Sequence, residues 1–317
     1  MPTLSRRGSG SPILPPMTFA ISGVFCAAAT PLDAALNPDH GAFLDHCRFL
    51  LDLGCHGIAL LGTTGEANSL SMTERKALLE AALKGGIRPD QLVPGVGLPA
   101  AGDTADLCRH ALAAGVTRVV MLPPFYYKNP ADDGLFAAYA RTIEAVNDPR
   151  LKIVLYNIPG TSAVPLSPAL VARLHAAFPE TIIGIKDSSG DYARQEALIA
   201  ANPTLAVLTG ADPFMLGLLK QGGAGCITST SNLVAAEMRT VWDHWNDPAA
   251  AERVAAAQAR IEAVRALSNL YQHLTTVKAL LALETGHEGW ARVRPPLLPL
   301  TAAERALLAE KAAAPGP

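Results

Sequence analysis

Short apolar runs alternate with longer amphipathic stretches along most of this chain. ISGVFCAA (21–28), GIALLG (57–62), LVPGVG (92–97), RVVMLPP (118–124), KIVLYN (152–157), TIIGIK (181–186), LAVLTG (205–210) and GCITST (225–230) have the length and bounding residues of buried strands. The stretches between them carry helical spacing and helix-start signals. Asn37-Pro38, Ser167-Pro168 and Asp212-Pro213 each set a capping side chain before a proline that fits the first helical turn. Ser71 and Glu74 form a capping box before ERKALLEAAL, and Gly85-Gly86 can end that helix in the left-handed conformation.

Eight strand-then-helix units predict an α/β protein, a (β/α)8 TIM barrel over residues 17–247. A doubly wound open sheet would favour a GxGxxG turn after its first strand, and ISGVFCAAATP is followed by none. Beyond Trp245 the strand signals stop. AERVAAAQARIEAVRAL, TTVKALLALE and TAAERALLAEKAA read as three helices, so residues 248–317 form a C-terminal helical domain with a frayed Pro-Gly end. Residues 1–16 read as a flexible tail, and Met1 and Met17 are both candidate starts.

Composition narrows the partners. Of 317 residues, 50% are hydrophobic and 17% charged, with a net charge of −2, and no block of Lys and Arg suggests nucleic acid or an anionic membrane. No apolar run approaches the ~20 residues of a membrane span. The paired arginines near the start mimic an export signal, but Pro12, Pro15 and Pro16 interrupt it and the apolar core is short. Five cysteines without a CxxC pair fit reduced thiols in a cytoplasm. His46-Cys47 and Cys55-His56 match no zinc spacing, and no metal is expected there.

The chemistry collects where barrels keep it, at the carboxyl ends of strands. TIIGIK ends in a lysine, although burying an ammonium costs several kcal/mol unless it is paired or neutral. Alternation puts Ile182, Gly184 and Lys186 on the inner face, with Ile183 and Ile185 towards the helices and space below the amine at Gly184. A free lysine is neutral at pH 7 in roughly one molecule in a few thousand. An apolar interior disfavours the cation, and the neutral amine is a nucleophile towards carbonyls. The plainer alternative is a stem that packs while the head reaches solvent or pairs with Asp187.

Tyr156 closes the preceding strand, where a phenol could shuttle protons or simply pack. Gly62-Thr63-Thr64-Gly65 has the make-up of a nest in which glycines let backbone N–H groups converge on an anion such as a carboxylate. Glu66 is expected to bond backbone. Tyr126 and Tyr127 lie in a Pro-bracketed loop that suits an interface.

GTTGE (62–66), PPFYY (123–127), YNIPG (156–160) and GIKDSSGD (184–191), in this order, resemble the pyruvate-dependent class I aldolase family of dihydrodipicolinate synthase and N-acetylneuraminate lyase. GGAGCITSTSN (222–232) and RPPLLPL (294–300) extend the similarity over nearly the whole chain from Met17. The resemblance implies a lyase, usually a homotetramer, without metal or organic cofactor, acting on pyruvate or another 2-keto(-3-deoxy) acid, with an aldehyde as second partner. By position Lys186 would form the Schiff base and Tyr156 would transfer protons. Thr63 would relay them, Thr64 and Gly65 would hold the carboxylate, and Ile227 would line the pocket. Tyr126 matches a tyrosine that in some members enters a neighbouring subunit's site.

One departure stands out. After YNxP, dihydrodipicolinate synthases bring an arginine that grips the second substrate's carboxylate, and here that place holds Thr161. The loss of a bidentate contact argues against aspartate semialdehyde. Three alternatives stay open: a true dihydrodipicolinate synthase, a non-catalytic 2-keto-acid-binding protein, and a pyridoxal-phosphate enzyme built on Lys186.

Overall fold

A computed structural model describes residues 19–313, so the tail to Pro16, the start at Met1 or Met17 and the last Pro-Gly residues lie outside the described residues. Seven parallel strands form one curled sheet: β1 (Gly23–Cys26), β2 (Gly57–Ile58), β3 (Arg118–Met121), β4 (Lys152–Asn157), β5 (Ile182–Asp187), β6 (Ala206–Thr209) and β7 (Gly225–Thr228). Their order is β2-β1-β7-β6-β5-β4-β3. The predicted strand LVPGVG is no regular strand, because Pro94 has no N–H to give to the ladder. It still bridges the two sheet edges: Val93 N donates to Ile58 O and Val120 N to Pro94 O, each at 2.9 Å. The fold is TIM-barrel-like.

Helices α1 (His40–Asp52), α2 (Met72–Lys84), α3 (Ala101–Ala113), α4 (Asp132–Val146), α5 (Pro159–Ser162), α6 (Pro168–Ala177), α7 (Tyr192–Ala201), α8 (Met215–Lys220) and α9 (Ser231–His244) alternate with the strands. Their sequence caps hold in part. The Ser71 capping box opens α2, Ser167 caps α6 before Pro168, and Gly86 takes the left-handed turn after α2. Two predicted caps move. Asp39, not Asn37, caps α1, because Asp33 bonds Asn37 and Pro38 bridges Leu32. Asp212 accepts from Thr230 and Arg265 and caps nothing.

Two apolar layers result. Outward strand residues pack on the helices, and an inner cluster holds Phe25, Val154, Tyr156, Ile183, Leu208 and Ile227. The pairing of β4 with β5 slips by one residue, so Ile153 faces Ile182, Val154 faces Gly184, and Ile183 is extra. This bulge corrects the expected alternation: Ile182 packs outward and Ile183 inward, while Gly184 and Lys186 stay inward. Nor does Gly184 leave a void, since an added Cβ would lie 2.7 Å from Ala206 O.

Three further helices follow: α10 (Ala251–Ser268), α11 (His273–Thr285) and α12 (Ala302–Ala313). Leu274 to Ala282 of α11 are buried without a break, as in a helix packed on every side. Val277 and Leu281 cluster with Ala29, just past the carboxyl end of β1, so α11 lies against the rim of the sheet. Among the described residues no helix is long and apolar enough to cross a membrane.

Candidate active site

Lys186 is 5% exposed and pairs in register with Tyr156 across β4 and β5. Its Nζ stands 4.2 Å from the centre of the Tyr156 ring. Among the described residues the amine has no hydrogen-bond partner and no carboxylate within ion-pairing distance. The neighbouring Asp187 is turned away. Its buried carboxylate accepts from Asn157 at 2.8 Å, from the Ser189 hydroxyl at 2.5 Å and from Arg194 at 2.9 Å. The alternative of a Lys186–Asp187 pair is therefore absent, and Asp187 instead ties the ends of β4 and β5 to α7.

The Tyr156 hydroxyl lies 3.3 Å from Thr63 Oγ1, which connects the GTTGE turn to the strand that faces Lys186. The turn is shaped differently from the expected nest. Its left-handed residues are Leu61 (φ 59°) and Glu66 (φ 53°), while Gly62 and Gly65 have ordinary φ. Gly65 is required for closeness, because a Cβ there would meet Ala28 O at 3.0 Å. The N–H groups of Thr63, Thr64 and Gly65 meet no acceptor among the described residues, so three backbone donors stay available to an anion. Thr64 is buried, and Ile227 shares the inner cluster with Tyr156.

Tyr126 stands apart from this group. It is 71% exposed and packs edge-on against Tyr127 at 5.2 Å. Thr161 is exposed on α5. The His and Cys pairs serve packing: buried His46 bonds Asn232 at 2.9 Å and meets Trp290 edge-on, half-buried His56 accepts through Nδ1 from Val24 N at 3.0 Å, and Cys47 and Cys55 are buried.

Several contacts near the site join stretches far apart in sequence. Glu66 bonds backbone as expected, through one oxygen, but its other oxygen meets the Lys278 ammonium of α11 in an unexpected ion pair with side-chain exposures of 1% and 0%. Burial pulls the Lys278 ammonium below its ordinary value, and Glu66 pushes it back up. The second Glu66 oxygen accepts from Arg294 N at 3.0 Å. The Arg294 side chain bonds Glu74, holding that carboxyl down at about 2. The C-terminal segment thus grips the chain just after Thr63 and Thr64, at Glu66, Ser69 and Glu74. Past β7, the Ser229 hydroxyl meets His273 Nε2 at 2.5 Å, and the other ring nitrogen meets Asn269 at 2.9 Å. A signal for Glu66 was present in the sequence, since a buried carboxylate needs a cation, but its partner lies 212 residues away.

An amine, a phenol and a hydroxyl stand on the rim of this TIM-barrel-like sheet, and the chain is a lyase of the class I aldolase type. The profile described as "Dihydrodipicolinate synthetase family" matches residues 20–314, and the chain belongs to that family. It is 35% identical over 289 residues to an uncharacterized DapA-like lyase of Chloroflexus aurantiacus, covering 90% of this chain and 94% of that protein. The solved dihydrodipicolinate synthase of Agrobacterium tumefaciens is 33% identical with a TM-score of 0.83, over 91% of this chain and 97% of that one. YagE of E. coli K12, a family member solved in complex with pyruvate, is 26% identical with a TM-score of 0.84, over 92% and 97%.

Proposed function

We propose that Lys186 is the Schiff-base nucleophile of a lyase acting on pyruvate or a longer 2-keto acid. The observation that carries this reading is a buried amine with no partner, set against a phenol that touches the GTTGE turn. The amine adds to the keto carbon, giving a carbinolamine. Tyr156 donates its proton to the leaving hydroxyl, water departs, and an iminium ion remains beside a phenolate. The phenolate takes a proton from C3, which yields the enamine and restores the phenol. The enamine carbon then attacks an aldehyde, whose oxygen takes the Tyr156 proton; the phenolate so formed accepts a proton from the water that adds to the iminium carbon, and collapse of that adduct frees the product and the amine. Cleavage of a longer keto acid is the same path reversed. A β-hydroxyl can leave from the same enamine.

The carboxylate sits on the N–H groups of Thr63, Thr64 and Gly65, while Thr63 carries protons to and from Tyr156 and Ile227 closes the apolar wall. YagE, solved with pyruvate, supports this substrate class. Thr161 in place of an arginine argues for an aldehyde without a carboxylate at that point. The closed ring is read as a (β/α)8 barrel over 17–247 carrying a C-terminal helical domain from 248. The exposed Tyr126 and Tyr127 suit contact with another copy in a cytoplasmic homotetramer.

The test is pyruvate plus borohydride, followed by intact mass and peptide mapping. The peptide holding Lys186 gains the mass of reduced pyruvate if the reading holds. An unmodified Lys186 across a panel of 2-keto acids would falsify it.

A further inference from the structure

Among the described residues Arg75, on α2, is a second buried cation without a counter-charge. It is 2% exposed, and its Nε is fully buried with no acceptor. The one bond it makes is long, 3.4 Å from Nη2 to Gly95 O. Burial pulls the guanidinium down to about 10, which leaves it charged at neutral pH. Both nearby carboxylates in the sequence are committed elsewhere, Glu66 to Lys278 and Glu74 to Arg294. An unpaired buried charge destabilises a fold, so a residue kept in that state has no stability argument in its favour.

The guanidinium lines a cavity of about 20 Å³ together with Gly62, Thr63, Asn68, Gly97 and Tyr156. No acid is among the lining residues. The volume admits one or two water molecules and excludes an organic ligand. What the cation does share with the cavity is the Thr63–Tyr156 hydroxyl pair, 3.3 Å apart. Negative charge forms on that pair when Tyr156 gives up its proton, and in a site walled by Leu61, Val120 and Leu122 a nearby positive charge is poorly screened.

We infer that Arg75 is an electrostatic positioning residue: its uncompensated charge stabilises the transient phenolate of Tyr156 in the proton-transfer steps. This rests on the reading of Tyr156 given above. It yields a paired expectation that a packing role does not, because removing the charge relieves the fold and harms the chemistry together.

The measurement is exchange of the pyruvate methyl protons in D2O, followed by NMR, which reports enamine formation without any second substrate. In Arg75→Met the maximal exchange rate falls at least about tenfold. The KM for pyruvate stays within about twofold, and Tm is equal to or above that of the unsubstituted protein. Arg75→Lys, which keeps a cation, returns to within about threefold of the starting rate. Arg75→Gln, which keeps a donor for Gly95 O and drops the charge, behaves like Arg75→Met and covers the case in which methionine fails to pack. An exchange rate in Arg75→Gln equal to the unsubstituted rate would overturn the inference. So would a rise in KM with unchanged maximal rate, which would make Arg75 a holder of the substrate anion. Failure of borohydride labelling in the unsubstituted protein sinks the Lys186 reading and this inference together. Full labelling with normal exchange in Arg75→Gln sinks the inference alone.

Discussion

Lys186 and Lys278 are both buried lysines, one inside the sheet on β5 and one on the C-terminal α11, and they are treated in opposite ways. Lys278 is matched by the Glu66 carboxylate, and that carboxylate's second oxygen is bonded by a backbone N–H. Lys186 has an aromatic ring beside it and, among the described residues, no partner for its charge. A matched pair returns much of its desolvation penalty as Coulomb energy and fixes two segments in register. An unmatched amine returns nothing to the fold, and what it offers is a lone pair held close to a proton carrier. The contrast separates a lysine that builds the site from the lysine proposed to work in it.

Substitution should widen that contrast. Lys186→Ala is expected to abolish both borohydride labelling and turnover while Tm stays the same or rises, because the change removes an unpaired polar group. A clear fall in Tm would mean that Lys186 has a structural partner after all. Tyr156→Phe should lower the rates of imine formation and turnover by about 10²–10⁴-fold, the range for a general acid–base group, with saturating pyruvate still labelling Lys186 slowly. Unchanged single-turnover kinetics in that variant would remove the phenol from the mechanism.

Lys278→Met tests the other member. It strands the Glu66 carboxylate, and urea unfolding should show a loss of about 3–5 kcal/mol. Adding Glu66→Gln to it should recover most of that loss. If the double variant is no more stable than the single one, the two groups do not act as a pair. The smallest effect concerns His273, which burial first and the Arg265 charge second hold down at about 4. Between pH 4 and its ordinary value of 6.5 the unfolded chain binds a proton that the native state refuses, so stability should rise with pH through that window. A pH series of Tm values for His273→Asn should be flatter there than for the unsubstituted protein, and parallel curves would contradict the assignment.

Most of the architecture was legible because it depends on local pattern. A lysine behind three isoleucines and a glycine is conspicuous in any register, and its alignment with Tyr156 followed from both residues standing at the carboxyl ends of neighbouring strands. What was not legible depends on partners remote in sequence. The bulge at Ile183 exists only relative to β4, so period-2 counting put Ile182 and Ile183 on the wrong faces. LVPGVG has a strand's composition, but Pro94 limits it to a bridging role. Asn37 lost its cap because Asp33 reached it first. Glu66, Lys278 and Arg294 converge from three distant stretches, and Lys278 lies within a leucine-rich stripe whose pattern suggests packing alone. Arg75 sat in ERKALLEAAL among ordinary surface charges, and nothing in that string distinguishes the one guanidinium that turns inward.

The clasp on Glu66 also has a consequence in time. Its two ties come from positions 212 and 228 residues later in the chain. While a ribosome is still making the protein, every strand of the sheet can have emerged before Lys278 and Arg294 are available. A nascent chain would then already hold Lys186 in place, but the loop proposed to receive a carboxylate would lack its anchor, so competence for the proposed reaction would wait for residues 278–294.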